Sequence, residues 1–396
     1  MPAMAPPAHA GGTAPGAKAA VPVTPWPFPV GVYDPSVQDY DETITQTAAA
    51  QQMKMWNISP TGWIRGCWLD FDMTVSGNAT NSVSYSKDNP YSGVQKITLY
   101  DLGGEPVIQL SGYQVKLMNK LGGYFRVGDP AADGNYSATT GTGSTAGSFR
   151  FLLFIPFETV ARDALGTAQN ESKPGWRIEI YIDSQANTYN QVPSVMGSLR
   201  VRGYVDAYTE PAGASPGGRP FAETPPLPGS LQYWKTETEY IASGAGQYDL
   251  TNGIGFPIRN LFYLHYDASA GTRAAGDGDI PNPFQLLLGN VQLYNRDPTS
   301  YFNQVGRDFG FLGAAGASTA LDSAMQRDAG VLPFYRTKDM SLIPGAELRF
   351  KYWDTQINTL LRYQGTFGAA VNLTVMSNWL ATPSKNRYAL IAGGGA

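Results

Sequence analysis

Residues 63–75 read WIRGCWLDFDMTV, and this stretch decides the fold class. Six of the seven alternate positions carry a residue suited to a buried face: Trp63, Cys67, Leu69, Phe71, Met73 and Val75. Arg65 shares that parity near the strand start, where its head group can reach water, while Asp70, Asp72 and Thr74 take the other parity. Because successive side chains of a β-strand point to opposite faces, the alternation predicts a strand with one buried and one wetter face.

The same alternation recurs along the rest of the chain. It covers residues 149–157, 176–182, 199–207, 262–266, 348–352 and 371–375. One buried and one wetter face per strand is typical of antiparallel sheets packed as a sandwich. The chain is therefore predicted to be mainly β, and its 396 residues suffice for two cores.

Proline and glycine divide the chain. Residues 1–40 form a Pro/Ala-rich arm, in which proline fixes φ and removes backbone donors, so an extended conformation is expected. A second such stretch, PAGASPGGRPFAETPPLPGS at 211–230, has the composition of a linker. We therefore assign a first domain to 41–212, a linker to 213–230, and a second domain with a C-terminal tail to 231–396.

The composition points to protein partners. Charged residues make up 15% of the chain, below the roughly 25% of ordinary soluble domains, while 23 Tyr, 17 Phe and 8 Trp are present. This favours large surfaces hidden against other protein, although secreted β-rich proteins share the bias.

The net charge of −4 argues against a general nucleic-acid binding surface. Cys67, the only cysteine, excludes internal disulfides and fits cytosolic synthesis.

Trp26 and Phe28 are the prominent apolar residues of the arm. We expect them to lie in a groove of a neighbouring chain or near a lipid surface, unless the arm is simply disordered.

The opening residues MPAMAPPAHA show no basic segment followed by an apolar run, so no signal peptide is expected. No apolar run is long enough to predict a membrane span.

The two halves repeat features at offsets of 194 to 199 residues. Leu99-Tyr100-Asp101 resembles Leu293-Tyr294-Asn295, Arg150-Phe151 resembles Arg349-Phe350, and the strand at Trp176 resembles that near Val371. Helical spacing follows at Tyr113, Leu117 and Leu121, and again at Tyr301, Val305 and Phe309. A second pair of helices is expected after the strands at Phe151 and Phe350, within 157–165 and 353–361.

Three segments carry a resemblance to a known family. They are WNISPTGWIRGCWLDFDMTV (56–75), ITLYDLGGEPVIQLSGYQVKLMN (97–119) and FRFLLFIPFETVARDAL (149–165). In this order the chain resembles the double jelly-roll major capsid proteins of tailless, membrane-containing icosahedral bacteriophages, the tectivirus-like lineage. The resemblance implies two tandem eight-stranded antiparallel jelly-roll β-sandwiches with short helices, plus the extended arm. Relatives often begin with a helical arm, so the Pro-rich arm here departs from the pattern.

The resemblance also implies a structural role. Three chains would form a pseudo-hexagonal homotrimer that tiles an icosahedral shell around an inner lipid vesicle. The expected partners are further copies of the chain, penton and minor capsid proteins and, where one is present, an internal membrane, without sequence-specific nucleic-acid binding. The location would be the virion, assembled in the host cytoplasm. No catalytic residue and no cofactor follow from the resemblance.

A carbohydrate-binding or carbohydrate-cleaving β-sandwich protein remains the alternative. Asp70 with Asp72, and Glu237 with Glu239, are i, i+2 pairs, which a strand would place about 7 Å apart on one face. Glycosidases use carboxylates at such separations, but charged residues on a wet strand face are the ordinary case. His265 shares the polar parity of Asp267 and is interpreted as an ordinary strand residue.

Two loops have compositions that suggest ligand sites. Asp277 and Asp279, in the run Gly276-Asp277-Gly278-Asp279, could supply oxygens to Ca²⁺, with a solvated loop as the ordinary interpretation. Gly141 to Gly147 resembles a phosphate loop only in glycine content, since no Lys follows. His9 and His265, the only histidines, cannot form a multi-histidine metal site in the folded region.

Overall fold

The computed structural model describes most of the chain. The described residues are 24–78, 82–83, 86, 88, 90–125, 128–129, 141–142, 146–159, 164–170, 175–195, 197–211, 218–225, 230–273, 277–312, 315, 324–336 and 352–381. Among them, no helix is both long and apolar enough to cross a bilayer.

The elements of the first sandwich lie between residues 36 and 208. Its strands are β1 (Ser36–Thr45), β2 (Gln51–Gln52), β3 (Trp56–Asn57), β4 (Trp63–Ser76), β5 (Ser82–Val83), β6 (Val94–Tyr100), β7 (Pro106–Leu110), β8 (Gly141–Thr142), β9 (Ala146–Pro156), β10 (Ala168–Gln169), β11 (Arg177–Ile182) and β12 (Ser198–Tyr208). Its helices are α1 (Gly112–Leu121) and α2 (Gln185–Thr188), and short 3₁₀ turns cover Phe28–Val30 and Tyr91–Gly93.

The elements of the second sandwich follow from residue 231. Its strands are β13 (Leu231–Ile241), β14 (Gly244–Asp249), β15 (Pro257–Asp267), β16 (Phe284–Leu288), β17 (Val291–Arg296), β18 (Val331–Tyr335), β19 (Trp353–Asp354), β20 (Leu361–Phe367) and β21 (Val371–Ala381). Its helix is α3 (Pro298–Phe309).

Both sandwiches have the same strand order. In the first, one sheet runs β1-β12-β4-β9 and the other runs β7-β6-β11, with β2 and β3 together completing its edge. In the second, the matching sheets run β13-β21-β15-β18 and β17-β16-β20-β14. Counted along each sandwich, with β2 and β3 as one strand and the short strands β5, β8, β10 and β19 left out, both orders are first-eighth-third-sixth and fifth-fourth-seventh-second. This is the jelly-roll arrangement, used twice.

Aromatic residues fill the space between the sheets. In the first sandwich Tyr40 of β1 stacks on Trp56 of β3, with ring centroids 5.5 Å apart. In the second, Tyr263 of β15 stacks on Tyr363 of β20 at 4.5 Å. The alternation at 63–75 is confirmed, because Cys67, Leu69 and Phe71 are fully buried. Burial of such large side chains contributes about 1.5–3 kcal/mol each.

The two sandwiches share one sheet and one core. β13 pairs in parallel with β7 through Trp234 and Ile108, which joins one sheet of each sandwich into a single ten-stranded sheet. The buried apolar residues therefore form a continuous cluster across the joint. The separate cores expected of two independent domains are fused here, while each sandwich keeps its own pair of facing sheets.

The longer helix of the first sandwich, α1, and the helix of the second, α3, both lie between the fifth and sixth strands of that count. Both were predicted from the spacing of their apolar residues. Ser111 caps α1 through a capping box with Gln114, and Asp297 caps α3 by accepting from the Ser300 backbone N–H. Gly310 ends α3 with φ +69°, a conformation that glycine adopts without strain.

Part of the sequence alignment between the halves is wrong. Tyr100 ends β6, the fourth strand of its sandwich, whereas Tyr294 lies in β17, the fifth strand of the other. The strand after Trp176 is the seventh, but Val371 opens the eighth. No helix forms at Trp353, since β19 pairs there with β15 and the Asp354 carboxylate accepts from the Gln356 backbone N–H. Residues 160–163, 349 and 350 lie outside the described residues.

Candidate assembly surfaces and the junction between the sandwiches

A cluster of buried charges joins α1 of the first sandwich to the second. The Asp328 carboxylate accepts hydrogen bonds from Lys116 Nζ at 2.5 Å, Lys120 Nζ at 2.8 Å and Tyr113 Oη at 3.1 Å. These three donors follow one face of α1 at helical spacing. The side chains of Lys116 and Asp328 are each 1% exposed. Burial raises the pKa of Asp328, but Lys116, Lys120 and Arg273 outweigh it and hold that pKa well below its usual range.

A second ion pair lies beside this cluster. Its carboxylate belongs to the first sandwich and its cation to the second, the reverse of the arrangement around Asp328. Arg273 of the second sandwich donates to Asp88 Oδ1 from Nη2 at 2.7 Å and from Nε at 3.1 Å, and also bonds the Ala329 carbonyl. Its guanidinium lies 4.8 Å from the centre of the Tyr113 ring. Burial raises the pKa of Asp88, while Arg273 opposes that rise. We name Lys116, Lys120, Asp328, Arg273 and Asp88 the junction cluster.

A polar network at Arg259 forms a further contact. Its Nη1 donates to Tyr124 Oη at 2.9 Å and to Gln232 Oε1 at 3.0 Å, and its Nη2 donates to the Thr159 carbonyl at 3.1 Å. Tyr124 and Thr159 belong to the first sandwich, whereas Arg259 and Gln232 belong to the second. Because buried polar groups are costly unless satisfied, such networks favour one relative position of the two sandwiches.

The described part of the arm, residues 24–35, packs on its own chain. Trp26 pairs with Phe221, donates its backbone N–H to the Pro220 carbonyl at 2.9 Å, and lies under the Arg219 guanidinium at 4.2 Å. Phe28 is 1% exposed. Its ring contacts the rings of Trp63 and Tyr208 edge-on. Phe28 is therefore buried within its own chain in this conformation, and not in a groove of a neighbouring chain as the sequence predicted.

An exposed apolar surface continues from the arm into β1. Trp26 is 40% exposed, Val30 61%, Tyr33 82% and Val37 53%. We name these four residues the arm–edge surface, since β1 lies at a sheet edge and, among the described strands, pairs only with β12. Exposed apolar residues along a sheet edge are a common site of protein association. Sequence inspection identified Trp26 here but missed Tyr33, whose exposure depends on the course of the chain into β1.

The aspartate pair of the first sandwich is not arranged for acid–base chemistry. Asp70 is 2% exposed and is bonded by Arg150 at 3.1 and 3.2 Å, with Arg202 at 2.7 Å. Asp72 lies further from Arg202, at 4.0 Å. Two guanidinium groups therefore hold the Asp70 carboxylate in an ion cluster on the face of the sheet.

The glutamate pair of the second sandwich has a structural role. Glu237 accepts hydrogen bonds from the backbone N–H groups of Thr251 at 3.1 Å and Asn252 at 3.4 Å, and from the Thr251 hydroxyl. It thereby fixes the turn between β14 and β15. Glu239 lies two residues further along β13, on an exposed stretch of that strand.

Asp277 and Asp279 do not converge on one point. The Asp277 carboxylate bonds both Arg327 nitrogens, at 3.0 and 2.5 Å, and the Gly330 backbone N–H at 2.7 Å. Asp279 is 8% exposed, and burial raises its pKa. Among the described residues, no three His, Cys, Asp or Glu side chains gather as a metal site requires. Residues 143–145 of the glycine-rich loop lie outside them.

His265 lies in the core, so its predicted place on a polar face is wrong. It is 0% exposed; Nδ1 faces the Gly330 carbonyl at 3.2 Å and Nε2 faces Tyr363 Oη at 3.0 Å. Since a carbonyl only accepts, Nδ1 carries the proton and Nε2 accepts from Tyr363. Burial lowers the pKa of His265 to about 4.

A His265→Gln variant is expected to lose part of the acid sensitivity of the fold. The pKa of His265 in the folded state lies below its unfolded value of about 6.5, so the folded state favours the neutral ring. The stability that depends on this neutral ring is complete above pH 6.5 and is lost progressively as the pH falls to the folded pKa of about 4. The loss at pH 4 is about 3 kcal/mol. Burial raises the pKa of Glu158 to about 7 against the effect of Arg65, so Glu158 stabilises the fold at low pH instead. The measurement is the free energy of unfolding of each protein from pH 4 to pH 7. The difference between wild type and variant removes the contribution of Glu158, which both proteins share. Parallel pH profiles would contradict this assignment.

Comparisons with known proteins bear on the fold. No protein-family model and no curated protein sequence matches this chain. Solved structures of viral capsid proteins cover most of it.

One is the STIV major capsid protein, which has 12% sequence identity over 90% of this chain and 99% of that one, with a TM-score of 0.55. Another is PBCV-1 VP54, fitted into a reconstruction of the virophage Sputnik, with 12% identity over 88% of this chain and 93% of that one and a TM-score of 0.53. A third is the Faustovirus major capsid protein, with 9% identity over 92% of each chain and a TM-score of 0.50. Together with the duplicated strand order, these likenesses show that the chain has the double jelly-roll fold of viral major capsid proteins.

Proposed function

We propose that this chain is a major capsid protein that forms homotrimers, and that these trimers tile an icosahedral viral shell. The observation that supports the proposal most strongly is the exact repetition of one strand order in two sandwiches that share a sheet. A chain with two similar units can occupy two of the six positions of a hexagon, so three chains complete it. The same proposal keeps the boundaries 41–212, 213–230 and 231–396, although β1 begins at Ser36.

Rigidity of the unit supports this role. A hexagonal tile requires both sandwiches of each chain to hold a fixed angle, because neighbours contact both of them. The junction cluster, the Arg259 network and the pairing of Trp234 with Ile108 all cross between the sandwiches. A junction that buries both apolar and satisfied polar groups resists hinge motion.

The proposal is for a structural protein without catalytic activity. Asp70 and Glu237, the better placed of the candidate carboxylates, are held by arginines and by a backbone turn. We propose the virion as the location, with assembly in the host cytoplasm. The proposed partners are penton and minor capsid proteins and an internal lipid membrane.

We assign the arm–edge surface to contacts between copies. Its four exposed apolar residues lie within twelve positions of the chain, and the low charge of the sequence suits permanent interfaces. Beside them lies the edge of β1 that no described strand covers.

Light scattering during size-exclusion chromatography tests the trimer. The expected mass is three times the chain mass of 42.6 kDa, unchanged on dilution. Tyr33→Asp and Val37→Asp are expected to shift the protein toward monomer without changing its circular dichroism. Ile357→Asp, which changes an equally apolar residue that is 83% exposed, is the matched control and should leave the trimer intact. A wild-type monomer at all concentrations would contradict the proposal.

A further inference from the structure

Lys116 and Asp328 have a geometry that goes beyond an ion pair. Nζ and Oδ1 are 2.5 Å apart, and both side chains are 1% exposed. The rings of Tyr113 and Tyr91 lie 5.3 and 5.8 Å from Nζ, so aromatic surface surrounds the amine. A nucleophile and a carboxyl group held in contact react at a very high effective concentration.

The rest of the cluster polarises the carboxyl group. Lys120 donates to Oδ2 at 2.8 Å and Tyr113 donates to Oδ1 at 3.1 Å. Donors aimed at both oxygens stabilise the negative charge that develops when an amine attacks the carbon between them. Two neighbouring ammonium groups on one carboxylate also repel each other, which favours release of a proton from one of them.

We propose that Lys116 and Asp328 form an isopeptide bond that links the two sandwiches covalently. One proton first passes from Lys116 Nζ to Asp328 Oδ1, the neutral amine then bonds to Cγ, and the Cγ–Oδ1 bond breaks. Of the three ammonium protons, two leave with Oδ1 as water and one remains on the amide nitrogen. The reaction therefore balances with no other reactant, and Oδ2 becomes the amide oxygen that Lys120 bonds.

Burial favours the product. The reaction removes one positive and one negative charge from an interior where each is costly to hold, and it releases the water formed there to solvent. Lys120 keeps the ring of Phe311 at 5.3 Å as a further favourable contact. The bond would close a loop across the junction, because the two residues are 212 positions apart in the chain.

Mass spectrometry of the full chain tests the bond. Wild-type protein is expected to be lighter than its sequence by one water molecule, and a tryptic digest should contain a branched peptide joining residues 116 and 328. Lys116→Arg keeps a cation but removes the nucleophile, so it should have its full sequence mass. Asp328→Asn should lose ammonia in place of water, and Lys235→Arg, a half-buried lysine of β13, should behave as wild type. A folded wild-type protein of full mass, or a water loss mapped to another site, would overturn the proposal.

Discussion

Replacing Asp328 with Ala is expected to lower the free energy of unfolding by about 3–5 kcal/mol, because removal of one partner leaves the other charges buried and unpaired. Lys116 and Lys120 would keep their ammonium groups inside the junction without the carboxylate that both contact. Urea denaturation followed by tryptophan fluorescence measures the change. The midpoint should fall by a large fraction of its wild-type value, since the whole stability of a domain is about 5–15 kcal/mol.

Asp249→Ala provides the control for this prediction. Asp249 forms a two-pronged pair with Arg362 at 2.6 and 2.9 Å, but both side chains are substantially exposed, at 41% and 29%. Solvent screens exposed pairs, so the loss should be far smaller. If both variants lost equal stability, the junction cluster would have no special role in holding the sandwiches together.

Trp234→Ala is expected to have the second large effect, also about 3–5 kcal/mol, through a cavity at the joint between the sandwiches. Trp234 is 0% exposed, packs 5.6 Å from the Phe262 ring and pairs with Ile108 across the shared sheet. Its indole N–H donates to Gln232 Oε1 at 3.1 Å, which ties the packing to the Arg259 network. Thermal unfolding should show a lower midpoint, and proteolysis between the sandwiches should become faster.

Tyr240→Ala is the matched control on the same strand. Tyr240 lies in β13 but is 62% exposed, so its truncation should change the stability by no more than about 0.5 kcal/mol. Equal losses for Trp234 and Tyr240 would show that the joint is not a packed core.

The sequence was informative wherever the structure depends on local periodicity. Cys67, Leu69 and Phe71 share one buried parity, and Tyr301, Val305 and Phe309 share one buried helix face, so simple spacing identified both. Alternation failed for His265, because its strand β15 is covered on both faces and no polar parity exists there. Asp70 was assigned to a wet face, but Arg150 and Arg202 on the neighbouring strands cover it.

The junction could not have been predicted from spacing. Lys116 lies between Val115 and Leu117 in a helix that is buried on nearly all sides, so its charge gives no sign of its partner. That partner, Asp328, is 212 residues away. The same holds for Arg273 and Asp88, which are 185 residues apart. Contacts of this kind depend on how the two sandwiches dock, and no local pattern specifies that docking.

Electron cryo-microscopy of the purified oligomer tests the central claim most directly. The account predicts a three-fold particle with a nearly hexagonal outline, in which each chain contributes two upright jelly rolls joined at Trp234 and Ile108. It also predicts that the arm–edge surface lies at a contact between chains. A particle without three-fold symmetry, or one in which the two sandwiches of a chain take variable angles, would contradict the account.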